Sequence, residues 1–367
     1  MSDPLFPAGP VRPSRVKRGV RSQRVRRGVA AGALGALTIV ALGVYLVGRD
    51  GGDPPPPASR GSGEPHAPIG SMLLALQVTG GPGPSLAVVG VPGDGEPFFM
   101  PLSTELTVTM PGQGETSAAG VAALPGDSMR VALSNMAGVW IDHYAVVSLR
   151  DLEAAVDEGG GLAVNLPEAY PTATDMLGPG EIIMSGSQVK AFLGGATDDF
   201  GVRWEIVLGA MLADPPQLVT NGSAQTDDAE AVNAIVSAAD GAEVLDMPTK
   251  RISATIVLPE YPTLDELLSA SLGSPMPVST IVQNGSGEPG VGEAVAARII
   301  PEGFRVVLSQ NALSFDVNRT DVFANGPEHE AEARAVKAAL GVGRVRVTAL
   351  PSNVADITIV VGKDFTA

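Results

Sequence analysis

A chain of 367 residues with no cysteine and a formal net charge of −16 is too long for one compact domain and can build neither a disulfide scaffold nor a thiolate metal site. Aromatic residues make up only 4%, so its cores must rest on Val, Leu, Ile and Ala, and three scattered histidines (His66, His143, His329) argue against a His-rich metal cluster. With a pI near 4.6, the chain as a whole is no nucleic-acid binder.

The charge is unevenly spread. Residues 1–28 hold eight of the 24 basic side chains against one acid, Asp3, which leaves 16 basic and 39 acidic residues elsewhere, a balance of −23. Val29 to Gly48 (VAAGALGALTIVALGVYLVG) then runs 20 residues without a charge. As a helix it spans about 30 Å, the thickness of a bilayer's hydrocarbon core. A cleaved signal peptide would have a shorter apolar run and a small-x-small site, whereas Arg49-Asp50 follows here. The pattern predicts one N-terminal transmembrane helix at 29–48, with the basic segment 1–28 in the cytoplasm and everything after residue 49 outside. Attraction to anionic lipid accounts for the basic arm without nucleic acid. Residues 49–69, rich in Pro, Gly and Ser, read as an extended tether in which His66 is solvated.

From Ser71 onward, short apolar runs alternate with helical patterns, which predicts an α/β fold. SMLLALQV, SLAVVGVP and WIDHYAVVSL read as strands and LRDLEAAVDEGG as a helix stopped by Gly159–Gly161. DDAEAVNAIVSAADG and TLDELLSASLG read as helices with the strand ISATIVLP between them, the second helix opening on a capping box of Thr263 and Glu266. The period restarts after Ser274–Pro277, where a boundary is expected: two separate cores with few contacts crossing near Ser274–Val278. The remaining segment reads β-α-β-β-α-β-β, a small α/β domain at 278–365 after a larger one at 70–273.

Few motifs carry chemistry. Gly285, Gly287 and Gly290 form a literal G-x-G-x-x-G between a strand and a helix, but the next strand ends Leu308-Ser309-Gln310-Asn311 without the carboxylate that would hold a ribose. Asn-Gly-Ser-Gly is also a plain turn sequence. Asp142 and His143 are adjacent on a strand, so their side chains leave opposite faces and cannot act as a pair. Asp198-Asp199 and Asp227-Asp228 could ligate a cation, although acids at loops and helix starts are the simpler reading. No nucleophile elbow, H-E-x-x-H or P-loop occurs.

GVWIDHYAVVSLRDLEAAVDEGGGLAVNLP (138–167) resembles the LytR–CpsA–Psr (LCP) family, whose members typically read G-x-x-I-D-H-Y, a helix and D-A-L-G-G-V-x-V-x-x-P. PGEIIMSGSQVKAF and DDFGVRWEIVLGAML are similar to the segments that follow, and VQNGSGEPGVGEAVAARIIPEGFRVV with ADITIVVGKDF is similar to the LytR C-terminal domain. The resemblance implies an LCP-like mixed sheet flanked by helices, then the small α/β domain. It also implies transfer of glycopolymers from a polyprenyl-pyrophosphate carrier to the cell wall, assisted by Mg²⁺, with arginines holding the pyrophosphate and acids placing the metal.

Matched residue by residue, those groups are missing. The family's G-x-D-x-R falls at Leu76-Gln77-Val78-Thr79, its S-D-T at Pro84-Ser85-Leu86 and its P-R-D-T at Pro101-Leu102-Ser103-Thr104. The Y-V-R-x-R motif becomes Phe192-Leu193-Gly194-Gly195-Ala196, and G-R-x-x-R-Q becomes Gly201-Val202-Arg203-Trp204-Glu205-Ile206, with Arg203 one residue, about 100°, out of register. The expected protein is a membrane-anchored, extracytoplasmic, non-catalytic homologue that binds a polyprenyl lipid or a cell-envelope protein, with no cofactor. The alternative is an active phosphotransferase using Mg²⁺ and a rearranged site of Arg203, Arg130 or Arg150 with Asp198 or Asp199. A DNA-reading regulator is excluded by a cytoplasmic segment of only 28 residues. Enrichment in Ala, Gly, Val and Arg suits a high-GC, actinobacterial source.

Overall fold

The computed structural model describes residues 71–82, 85–103, 105–172, 175–195, 199–219, 224–253, 256–349, 352 and 354–366, all within one compact unit. The expected transmembrane helix, the tether and Asp198 lie outside the described residues. Among the described residues, no helix is long and apolar enough to cross a membrane.

The first part opens with β1 (Met72–Thr79), β2 (Ser85–Val91) and β3 (Phe98–Leu102), then the hairpin β4 (Thr107–Met110) and β5 (Gly114–Ser117). Helices α1 (Ala118–Ala122) and α2 (Gly126–Ala137) lead into β6 (His143–Ser148) and α3 (Leu149–Glu158). There follow β7 (Leu162–Leu166), β8 (Tyr170–Pro171), β9 (Met176–Leu177), β10 (Gly180–Met184), α4 (Gly186–Gly194) and α5 (Phe200–Ala213). It closes with β11 (Gln225–Thr226), α6 (Ala229–Ala238), β12 (Glu243–Val244), β13 (Thr249–Arg251), β14 (Val257–Pro259) and α7 (Tyr261–Leu272).

Six of these strands form a mixed sheet in the order β11-β6-β1-β2-β3-β12, with β1 parallel to β6 and antiparallel to β2. A strand buried on both faces must be apolar almost throughout, and β1 is. Leu74, Leu76 and Val78 enter one core with residues of α3, α4, α5 and α6, while Leu73 and Ala75 enter the other with residues of α1, α2 and α7. Ser148 and Ser185 start α3 and α4 with reciprocal capping boxes to Asp151 and Gln188.

The C-terminal part runs β15 (Val278–Asn284), α8 (Val291–Ile299), β16 (Phe304–Asn311), β17 (Asp321–Ala324), α9 (Glu330–Leu340), β18 (Arg344–Val347) and β19 (Ile357–Val361). Its five-stranded sheet has the order β16-β15-β19-β17-β18. This is the β-α-β-β-α-β-β order that the sequence predicts.

Three expectations need correction. Helix α7 starts at Tyr261 with Glu260 as N-cap and a proline in its first turn, so Thr263 lies inside the helix and forms no capping box with Glu266. Pro262 has no N–H to leave unpaired there, which makes the earlier start possible. ISATIVLP is not one strand: β13 and β14 pair as a hairpin, with Ile252 N donating to Ile256 O at 2.9 Å. The two parts are also not joined sparsely. The first holds two cores, one on each face of its sheet, and the third, C-terminal core takes in Val131 of α2 and packs against Trp140. Ser128 Oγ donates to Glu293 Oε1 at 2.6 Å, and the β4–β5 turn at Gly112 lies against Gly292 of α8. Polar groups on facing surfaces, spread over some 170 residues of sequence, leave no local pattern to read.

Candidate functional site

Arg203 and Asp199 are brought together. They stand four residues apart at the start of α5, and Arg203 Nε donates to Asp199 Oδ2 at 2.8 Å. The guanidinium then turns inward. Its Nη1 donates to the carbonyls of Pro171 (2.9 Å) and Phe192 (3.0 Å), and its carbon lies 5.2 Å from the Tyr170 ring centre and 4.9 Å from that of Phe192. Tyr170 meets Phe192 edge-on at 5.3 Å. Arg203 is only 2% exposed. Its Nε and Nη1 therefore tie β8, α4 and α5 together from within, which is the use of a planar, permanently charged fork in a buried place. Burial, with the charges of Glu168 and Asp199, raises the Tyr170 hydroxyl above its ordinary pKa, and Arg203 offsets part of that.

The positions where the resemblance would put charged ligands divide between core and surface: Val78, Ser85 and Leu102 are buried, whereas Ser103, Gly194, Val202 and Glu205 are exposed. Leu76, Val78, Leu86, Leu102, Phe192 and Leu193 are all buried in the two cores. Gln77 points to the other face of β1, where its Nε2 donates to Ala122 O at 2.9 Å. An ionised side chain at these depths would need a partner to offset its lost hydration.

The other two candidate arginines lie at opposite ends of β6. Arg130 of α2 packs beside the start of the strand: Nη1 donates to Asp142 O (2.8 Å) and Asp227 Oδ2 (3.2 Å), and Nη2 to Asp127 Oδ1 (2.9 Å). Its guanidinium carbon stands 5.1 Å from the Trp140 ring centre. Arg150 follows the end of β6 in the first turn of α3, seven residues beyond His143, with the six-residue strand, about 20 Å long, between them. These arginines do not converge on one ligand.

Asp142 and His143 part as expected. Asp142 Oδ2 accepts from Leu73 N at 2.9 Å, and burial raises its carboxyl above the ordinary value despite that bond and the nearby His143 and Arg130. His143 Nδ1 lies 3.3 Å from Asp227 Oδ2, and Tyr144 N donates to Asp227 Oδ1 at 3.1 Å. Asp227 thus bridges α2 and β6, a role the sequence does not signal because its partners lie more than 80 residues away. Asp228 caps α6 by accepting from Glu230 N and Ala231 N.

The glycine-rich segment at 284–290 is a turn. Asn284 Oδ1 accepts from Ser286 N, Ser286 Oγ and Gly287 N at 2.9–3.1 Å, and Asn284 Nδ2 donates to Glu288 O at 2.8 Å. The side chain of Asn284 has taken the amides that a phosphate would need. Among the described residues, no three His, Asp or Glu side chains gather so as to hold a metal ion.

Residues 278–365 match the LytR_C family model, described as LytR cell envelope-related transcriptional attenuator. The C-terminal domain is of the LytR_C family. No curated protein matches the chain. Among solved structures, the chain is similar to TagV of B. subtilis, with 16% identity over 56% of this chain and 98% of that one and a TM-score of 0.46. It is also similar to a LytR-Csp2A-Psr enzyme from Actinomyces oris, with 19% identity, 56% and 91% coverage and a TM-score of 0.44. For TagT bound to LI-WTA the figures are 14%, 55%, 91% and 0.46. In this chain, the LytR_C domain seats its edge strand β16 directly on α2 of the preceding part.

Proposed function

We propose that this protein is a non-catalytic homologue of the LytR–CpsA–Psr proteins that serves cell-wall glycopolymer assembly by binding, not by transfer. In this reading residues 29–48 anchor it in the cell membrane, residues 1–28 are cytoplasmic, and both folded parts face outward to meet a polyprenyl lipid or an envelope protein. One observation carries the reading: Arg203, the cation that the resemblance leaves nearest the family's arginine positions, is buried and bonded to Asp199, Pro171 and Phe192. A pyrophosphate leaving group needs preorganised cations in an open site, and each lost charge contact costs about 10²–10³ in rate. Such losses in a shared site do not simply multiply. Four or more together still leave no useful turnover.

The test is to incubate the full chain, in detergent or vesicles, with a carrier-linked glycan and Mg²⁺ and to follow lipid phosphate. The expected release is at background, with saturable binding of the polyprenyl pyrophosphate or of an envelope protein. Release that vanishes in Arg203→Ala would restore the transferase alternative, in which Arg203 and Asp199 leave their present pairing and Asp198 and Asp199 hold Mg²⁺.

A further inference from the structure

We infer that the open face of the C-terminal sheet binds a neutral glycan chain through Gln283 and Gln310, an inference that does not depend on how the chain meets the membrane. Both helices of this part lie on one side of its sheet: Val282, Val306, Val322 and Ile359 share a core with Val295 of α8 and Val336 of α9. Side chains alternate along a strand and register partners share a face. Ile281 and Gln283 of β15, Leu308 and Gln310 of β16, and Val360 of β19 therefore stand on the other side, outside that core. Arg305, paired with Asp265 of α7, bounds this floor at its amino-terminal end, and Val317, packed on Gly285, bounds it at the carboxyl end.

The amides single this face out. Seven Asn and Gln side chains among the described residues are buried or half-buried. Five are bonded to the chain: Gln77 to Ala122 O, Asn135 to Val306, Asn233 to Val219, Asn284 within its own turn and Asn325 to Ala355 O. The other two, Gln283 and Gln310, make no side-chain hydrogen bond among the described residues, and they stand directly opposite each other on neighbouring strands. Half-buried amides are ordinarily satisfied, and two side by side offer four N–H groups and two carbonyls to whatever lies on the sheet.

Chemistry selects the ligand. The floor side chains are uncharged, and a chain whose balance outside residues 1–28 is −23 repels polyanions. Amides donate and accept at one place, which matches hydroxyl groups, since these do the same. Ile281, Val360 and the 39%-exposed Leu308 supply an apolar surface for the C–H faces of sugar rings. Neighbouring strands lie about 4.8 Å apart, close to one ring of an extended chain, so a glycan crossing β16, β15 and β19 sets one ring over each. The floor also lies toward the carboxyl ends of these three parallel strands, where open α/β sheets take their ligands.

The test titrates the full chain, in a sugar-free detergent, with chitohexaose and with cellohexaose, two neutral β-1,4-linked hexasaccharides, and follows binding by calorimetry. The expected result is saturable binding of at least one. Gln283→Met with Gln310→Met keeps the side-chain volume, removes the amides and should weaken that binding about tenfold or more. Its thermal midpoint should not fall, because neither amide is bonded within the fold. Asn165→Met, at an exposed amide of β7, should bind as the native chain does. Hexagalacturonate, with a carboxylate on every ring, should bind at least about threefold more weakly than the better neutral sugar. No binding of either neutral sugar overturns the inference, as does undiminished binding by the double variant. Equal binding of hexagalacturonate overturns the neutral class of ligand. A lowered midpoint in the double variant makes the amides part of the fold and overturns the site. So does photo-crosslinking from Leu308→p-benzoylphenylalanine in whole envelopes that captures protein and no glycan, which would put a protein partner on this face.

Discussion

Arg305 of β16 closes a two-pronged ion pair with Asp265 of α7, Nη1 to Oδ2 at 2.7 Å and Nη2 to Oδ1 at 2.5 Å, across the seam between the two folded parts. Both side chains are almost fully buried. Nε and Nη2 also donate to the carbonyls of Asn135 and Met136, each at 3.1 Å, and the guanidinium carbon lies 4.5 Å from the Tyr261 ring centre. Removing one member of such a pair leaves an uncompensated buried charge, at about 3–5 kcal/mol. Asp265→Ala should therefore lower the denaturant midpoint sharply and separate the unfolding of the two parts into two transitions. The double change Arg305→Met with Asp265→Leu should recover most of the midpoint. A single unshifted transition in Asp265→Ala would show that the pair does not couple the parts.

Beside that pair, Asn135 completes the edge of the C-terminal sheet. Its Oδ1 accepts from Val306 N at 2.7 Å and its Nδ2 donates to Val306 O at 2.9 Å, so a side-chain amide occupies the place of a neighbouring strand. Asn135→Leu would leave a buried N–H and a buried carbonyl unpaired, each at about 1–3 kcal/mol. The expected outcome is a loss of stability in chemical denaturation, with early hydrogen exchange at Val306 rather than throughout the domain. Asn135→Gln, which keeps both groups on a longer arm, should lose less.

How far the sequence reveals this architecture depends on the range of the signal. The doubly buried β1, the periodic α3 and α9, and the β-α-β-β-α-β-β order are written in near neighbours and are legible. Helix α2 has no counterpart among the expected elements because Ser134 and Asn135, both buried, interrupt its apolar stripe. The start of α7 was obscured by a plausible Thr263–Glu266 box that the proline before it overrides. Of the candidate site residues, the sequence offered Arg203 and Asp199 as neighbours four positions apart, and the structure pairs them. That Arg203 then faces inward, toward carbonyls 32 and 11 residues away, depends on tertiary packing, which no local spacing encodes.

Arg203 gives the third prediction. Arg203→Ala orphans the carbonyls of Pro171 and Phe192 and leaves a cavity between Tyr170 and Phe192, so a fall in stability of about 2–4 kcal/mol is expected. Arg203→Lys should recover only part, because an ammonium cannot serve Asp199 and two carbonyls from one plane. Thermal unfolding checks both. A variant as stable as the native chain would mean that Arg203 is not a strut and is available for a ligand.

The pH dependence follows from Asp142. Burial raises its folded-state pKa above the ordinary 3.8, so the folded protein holds that proton more tightly than the unfolded chain does. This contribution to stability is fully present below 3.8 and is lost as pH rises through the folded value. Asp142→Asn keeps an acceptor for Leu73 N and cannot ionise. Comparing unfolding midpoints of the two chains from pH 3.5 upward, the variant should gain relative to the native chain as pH rises. A difference that stays constant with pH would contradict it.

Gly292 supplies the most specific steric test. A Cβ there would lie 2.5 Å from Gly112 Cα and 2.6 Å from Gly112 N, both backbone atoms of the β4–β5 turn. Gly112 itself sits at φ +83°, a conformation that other residues reach only with strain. Neither backbone can yield by rotating a side chain, so Gly292→Ala must push the hairpin and α8 apart and stretch the adjacent Ser128–Glu293 hydrogen bond. In an exposed helix the same change would stabilise, since alanine is the better helix former by about 0.8–1.0 kcal/mol. Here the overpacking term of about 1–3 kcal/mol outweighs that gain. The expected outcome is a net loss of stability, with increased hydrogen exchange in both the hairpin and the first turn of α8. A stabilised variant would mean that the two glycines do not pack as described.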